Sequence, residues 1–194
     1  MRGVHLLAMA AVLVVSLPAR AQNWPKETDT MFGIKLGAPM ALSTVPPCAP
    51  TTRAYEIPQG TCYEDSGPYS DRIARLWGLD ALRKIASSAN VYFYDGSVES
   101  IGVDVKYDYY QTFKAMLLER YGPPTKIARS EVVTGTGAKI PIEILEWSGL
   151  QNELILIERS GRVDQTQMLF SNRAMRERKQ GAAQNKVKED ASKF

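Results

Sequence analysis

The residues of this chain best suited to acid–base chemistry are the carboxylates Glu99, Asp104 and Asp108. Two carboxylates can hydrolyse a glycosidic bond without histidine, one giving a proton while the other activates water or attacks. Nothing in the spacing of these three requires them to converge. Asp108 stands before a helical pattern, where a carboxylate can cap the first turn. Asp95 nearby precedes a glycine in a turn. A catalytic function has to be argued from an assembled site, and none assembles here. We therefore expect no catalytic residue, no cofactor and no metal.

Other chemistries are excluded more firmly. His5 is the only histidine, and it lies in a segment with the layout of a secretory leader. Arg2 precedes an apolar run from Val4 to Leu17, Pro18 ends it, and Ala19-Arg20-Ala21 offers small residues to signal peptidase. Cleavage after Ala21 leaves no imidazole. Ser-His-Asp and Cys-His nucleophiles go with it, as do His-containing zinc sites. Cleavage also lowers the formal charge of +3 by two. The apolar run falls short of the ~20 residues of a membrane span, although an uncleaved N-terminal anchor is the alternative. No calcium loop of the DxDxDG type occurs. Thr134-Gly135-Thr136-Gly137 lies between strand patterns, not before a helix, so it is no phosphate cradle.

Cys48 and Cys62 are the only cysteines. Export to an oxidising compartment makes them a disulfide, with two free thiols as the alternative. Closing a loop of about 15 residues contributes roughly 3 kcal/mol in the chain-entropy view. No Asn-x-Ser/Thr sequon is present, so the bacterial periplasm is the simpler address.

The nine tyrosines all lie between Tyr55 and Tyr121. Tyr92 and Tyr94 share one face of a strand pattern, and Tyr107, Tyr109 and Tyr110 cluster at the corner that follows it. Tyrosine combines a large rigid ring with a hydroxyl, which suits recognition of protein or polysaccharide. These five are the candidate binding residues. The alternative is that the rings fill space between sheet and helix.

The elements that must position these residues read as one α+β domain. With 194 residues, 44% hydrophobic and 23% charged, the composition is that of a globular protein. Phe32, Ile34 and Leu36 alternate as a first strand. Proline-rich chain follows to Gly60, and Tyr69–Ser87 reads as two short helices broken at Gly78. Asn90–Tyr94, Asp95-Gly96 and Val98–Val105 form a hairpin, with a bulge beside Gly102. A helix capped by Asp108 runs to Tyr121, with Tyr110, Phe113, Met116, Leu117 and Tyr121 as its apolar stripe. Gly122 and Pro123-Pro124 stop it. Three or four strands follow as an antiparallel meander, over Lys126–Val133, Ile140–Trp147, Glu153–Arg159 and Val163–Ser171, and the antiparallel sheet packs the central helix on one face. The segment 173–194 carries seven basic and three acidic residues. It can extend a helix for two turns, and is expected to be mostly disordered after Gly181.

Several strings carry a resemblance. FGIKLG (Phe32–Gly37), FYDGSVESIGVDV (Phe93–Val105), FKAMLLERYGPPT (Phe113–Thr125), WSG at Trp147 and SGRVD at Ser160 occur in one order. In this the chain resembles small exported proteins of proteobacteria to which no activity is assigned. The helix ending in RYGPPT before an antiparallel meander is also similar to the α/β unit of β-lactamase inhibitor protein. It is similar, too, to the outer-membrane assembly lipoproteins of the SmpA/OmlA type. The resemblance implies a β-lactamase-inhibitor-like fold and binding in place of catalysis. The lipoprotein cysteine is missing, and one such unit is present where the inhibitor has two.

The expectation is thus a soluble, non-catalytic periplasmic binding protein for an unknown protein or envelope component. An inhibitor of an enzyme is a related form. Nucleic acid is not an expected partner, and the chain after the leader has no transmembrane segment. The alternatives are a histidine-free hydrolase, or an envelope structural factor attached by its basic tail.

Overall fold

The structure, a computed structural model, describes residues 24–49, 60–65, 73–79, 82 and 84–193. The expected leader and its cleavage site lie outside the described residues, as do Tyr55 and Tyr69. The architecture is α+β: a large antiparallel sheet packed on a helix, with a second helix at the C-terminal end.

The sheet has eight strands. They are β3 (Cys62–Asp65), β4 (Ile73–Trp77), β5 (Ala86–Tyr94), β6 (Ser97–Lys106), β7 (Lys126–Val133), β8 (Lys139–Ser148), β9 (Asn152–Ile157) and β10 (Gln165–Asn172). The spatial order is β3-β4-β5-β6-β10-β9-β8-β7. The last strand in sequence therefore inserts at the centre and joins the β5–β6 hairpin to the meander. Helix α1 (Tyr110–Tyr121) connects β6 to β7. Two short bridges, β1 (Thr30–Met31) and β2 (Ile34–Lys35), form a miniature hairpin. They replace the single first strand expected over Met31–Leu36, because Phe32 and Gly33 both take positive φ and turn the chain.

Hydrophobic periodicity forms these elements as expected in most places. Asp95 and Gly96 have φ of 52° and 70°, the left-handed pair of a primed hairpin turn. The bulge falls at Glu99, where the register shifts between Tyr92 and Phe93. Tyr110, Phe113, Leu117 and Tyr121 are buried on α1. One difference is β4. The apolar positions of Ile73–Trp77 fit a helical face, but Ala74 and Leu76 are buried at a spacing of two while Arg75 is exposed. Pairing with β5 makes this segment a strand. A second difference is at the C-terminal end, where helix α2 spans Arg173–Ala191 and continues well past Gly181.

The core lies on one side of the sheet. Ala74, Val91, Ile101, Phe170, Leu154 and Trp147 form a continuous cross-strand row, all fully buried. Ala89, Val103, Met168, Leu156 and Leu145 form the next. Helix α1 and the chain from Trp24 to Val45 pack on these rows. Two indoles hold the end of α1: Trp24 Nε1 donates to the Tyr121 carbonyl at 3.1 Å and Trp147 Nε1 to the Gly122 carbonyl at 2.9 Å. These bonds use carbonyls that a helix end leaves unpaired. Glu27 closes the N-terminal segment onto the β8–β9 turn. Its carboxylate accepts from the backbone N–H groups of Leu150, Gln151 and Asn152 at 2.7–2.8 Å. A Cβ on Gly149 would sit 2.2 Å from the Glu27 carboxyl carbon, so any other residue there would displace the carboxylate from these bonds.

Cys48 and Cys62 form a disulfide that ties β3 to the loop before it. No described helix is long and apolar enough to cross a membrane.

Candidate binding face

The side of the sheet opposite α1 is different in kind. Register places three cross-strand rows on it. The first is Ile73, Tyr92, Ser100, Ser171, Glu153 and Ser148; the second is Arg75, Asn90, Gly102, Leu169, Ile155, Glu146 and Lys126. Ser88, Asp104, Gln167, Ile157, Ile144 and Ala128 form the third. Leu169, Ile155, Ile157 and Ile144 are half-buried and adjacent, an aliphatic strip down the centre.

Beside this strip Tyr92 lies across Gly102. A Cβ on that glycine would be 3.1 Å from the tyrosine ring, so the ring rests on bare backbone. The Tyr92 hydroxyl is held above its ordinary pKa by burial and by the Asp104 charge, while a hydrogen bond with Asn90 works against both. Asp104 itself accepts from Ser88 Oγ at 2.7 Å and Gln167 Nε2 at 3.3 Å. A phenol, two carboxamides, a hydroxyl and a carboxylate therefore adjoin the aliphatic strip. That combination can hold a polypeptide through side-chain contacts and polar pairing.

The first turns of α2 lie at the row of Tyr92. Asn172 caps the helix, its side chain accepting from Met175 N at 3.1 Å. Arg176 pairs with Glu153, and Lys179, three residues on, pairs with Glu99. Both carboxylates are more than nine-tenths buried. Arg173 also turns inward, donating to the Gly149 carbonyl at 2.8 Å. Three of the seven basic residues of this segment thus hold the helix to the domain. From Ala182 to Lys193 every residue is exposed.

The five tyrosines named from the sequence do not share one surface. Tyr92 and Tyr94 are half-buried at the hairpin end of the open face. Tyr107, Tyr109 and Tyr110 sit at the far end of β6, at the start of α1. Tyr110 is 2% exposed and belongs to the core. Its hydroxyl donates to Glu143 at 2.7 Å. Burial and the Glu143 carboxylate push its pKa far above the tyrosine range. The Tyr107 ring stacks on Tyr110 at 6.3 Å and carries the Arg159 guanidinium 3.5 Å from its centre. Only Tyr109, at 37% exposure, is open to solvent there.

The three carboxylates do not meet either. Glu99 and Asp104 are five residues apart on β6, about 16 Å of extended strand, beyond the roughly 5–9.5 Å over which paired carboxylates act on a glycoside. Glu99 is the bulged residue held by Lys179, and Asp108 is exposed in a 3-10 turn, Tyr107–Tyr109. Asp108 does not cap α1. The N-cap position is Tyr109, with no side-chain bond, because the 3-10 turn starts the helix one residue later than a cap by Asp108 requires.

Glu143 and Glu158, on neighbouring chain segments, are joined through their backbones. Their backbones exchange a bond of 3.0 Å, and Glu158 Oε2 accepts from Glu143 N at 2.8 Å. Tyr107 donates to Glu158 at 3.3 Å, and Lys114 pairs with Glu143. Burial raises the Glu143 pKa, but the bonds from Lys114 and Tyr110 outweigh it and hold the group below the usual carboxylate range. A carboxylate kept ionised in this way clamps α1 to the sheet and is a poor proton donor. The pairing is implicit in the alternation of Ile144 with Ile157, one register step away.

Comparison of the chain with family models, with curated proteins and with solved structures found no match in any of the three.

Proposed function

We propose that this chain is an exported, non-catalytic binding protein, working in the periplasm, that docks a protein partner on the open face of its sheet. The observation that carries this reading is the aliphatic strip Leu169, Ile155, Ile157 and Ile144, flanked by Tyr92 and the Ser88, Asn90, Asp104 and Gln167 group. Half-exposed aliphatic and aromatic side chains, mounted on a rigid sheet and edged by paired polar groups, have the make-up of a protein-binding patch. The polar groups are already bonded to one another, so docking a partner costs little reordering.

The test is capture from periplasmic extract with the disulfide-bonded protein and its Leu169→Lys/Ile157→Lys variant. Leu169 and Ile157 are partly exposed, so the variant is expected to keep the wild-type circular dichroism. One stoichiometric partner, held by the wild type and lost by this variant, is the expected result. A partner held equally by both proteins would exclude this face.

A further inference from the structure

The outer strand of the meander, β7, ends the sheet, and no described strand pairs with its free edge. It runs for eight residues, KIARSEVV, against four in β3 at the other end of the sheet. At the opposite end the Pro46–Cys48 segment bonds to both the N–H and the C=O of Tyr63 in β3. Long free edges invite another strand, and proteins commonly guard them with charge. The charges on β7 are arranged otherwise. Ile127, Arg129, Glu131 and Val133 share one side of the sheet, and Ile127 and Val133 are 58% and 65% exposed.

We propose that β7 is a self-complementary edge, and that a second copy of this chain pairs with it antiparallel about a two-fold axis through Ser130. In that register Arg129 of each copy lies opposite Glu131 of the other, so two opposite-charge pairs form. Ile127 lies opposite Val133, which covers both exposed apolar side chains of the strand twice over. Ala128 faces Val132. Directly opposed residues on an antiparallel pair must share a sheet face, so the register can move only in steps that shift the axis by one residue. Moving it to Arg129 sets arginine against arginine and Ile127 against Glu131. Moving it to Glu131 sets glutamate against glutamate and Val133 against Arg129. Ser130 is the one central position that matches charge with charge and apolar with apolar.

The interior neighbours extend the same pattern. Arg129 stands opposite Glu143 of β8, and Lys139 pairs with Glu131 at 3.4 Å. Charge therefore alternates along the line Lys139, Glu131, partner Arg129, partner Glu143, and again in reverse. An isologous contact of this kind closes on itself and yields a dimer, not a filament. The interface is small, under about 1,200 Å², so it is concentration-dependent.

The test is sedimentation velocity on the disulfide-bonded protein as isolated from cells, from about 1 µM to about 1 mM, the range that populates weak complexes. The expected result is a monomer–dimer equilibrium. Arg129→Glu and Glu131→Arg each create two like-charge pairs per dimer and should weaken it roughly tenfold or more. Mixed together, the two variants should dimerise with each other, since each supplies the charge the other lacks. The double variant R129E/E131R should dimerise with itself. Val133→Lys, at the exposed end of the strand, gives the same weakening without touching the central charges, should a reversal unfold the chain. A wild type that stays monomeric throughout overturns the proposal. So does a dimer indifferent to the single reversals, or single reversals that neither their mixture nor the double variant rescues.

Discussion

The two faces of the one sheet differ although they are built from alternate residues of the same strands. On the α1 side the central rows are apolar from β4 to β8, with no polar residue in either row. On the other side aliphatic residues stand beside Ser, Asn, Gln, Asp and Glu, and Tyr92 lies over a glycine. The first face is filled by a helix whose buried residues are apolar or aromatic, with the Glu143 clamp to Tyr110 and Lys114 as a polar contact. The second is met by a helix held through two ion pairs and one buried methionine, Met175. Apolar rows commit a face to permanent packing, whereas a mixed face can be wetted or docked.

The sharpest test of this contrast compares neighbours on β10. Phe170→Ala removes a fully buried ring from the α1 side and should cost about 3–5 kcal/mol of unfolding free energy. Leu169→Ala, one residue away and half-exposed, should cost about 1 kcal/mol or less. Equal losses in urea denaturation would mean that both faces are core. Replacing Cys48 and Cys62 by Ala acts on neither face alone, and should lower stability by roughly 3 kcal/mol through the loop it opens.

Smaller effects separate the two helices. Glu27→Ala leaves three backbone N–H groups without their charged acceptor and should cost about 1–3 kcal/mol. Because Glu27 belongs to the segment packed on the α1 side, the loss should appear in global unfolding. Glu99→Gln/Glu153→Gln weakens only the anchors of α2. Hydrogen exchange should then accelerate in Ala174–Lys188 while α1 keeps its protection. Equal acceleration in both helices would show that α2 is part of the core.

The smallest effect is a pH dependence. Glu143 is held below its unfolded pKa, so its contribution is present above the ordinary carboxylate range and is lost as pH falls through the folded value. Lys114→Met removes one of the groups responsible. The acid limb of the stability curve should move to higher pH, and an unmoved limb would remove Glu143 from the account. Tyr110 acts at the other extreme. Its pKa is raised in the fold, so stability should fall as pH climbs above about 10, where the unfolded phenol ionises.

Much of the fold was legible in the residues. Asp95-Gly96 demanded a primed turn, Gly122 and Pro123-Pro124 ended α1, and the alternating isoleucines of β8 set the meander. The errors arose where local pattern was ambiguous. Ile73–Trp77 satisfies a helical spacing as well as a strand, and only its partner β5 selects the strand. The segment after Gly181 has too few apolar residues to call for order. Its helix starts from Asn172 and from pairs with Glu153 and Glu99, which lie 20 and more residues away in sequence.

The candidate site was less legible, for a related reason. Tyr92 was identified, yet its place over Gly102 depends on the β5–β6 register, and its neighbours Leu169 and Ile155 come from strands brought beside it by insertion of β10. By itself the sequence determined which segments alternate, where they turn, and that a disulfide was available. Those properties act within a few residues through backbone sterics and periodicity. Only the tertiary structure decided which alternate residues face α1, that Glu143 receives Tyr110 and Lys114 from that helix, and which strand is left at the edge. Each of those depends on strand order, which is set by the total apolar surface buried and not by any local run of residues.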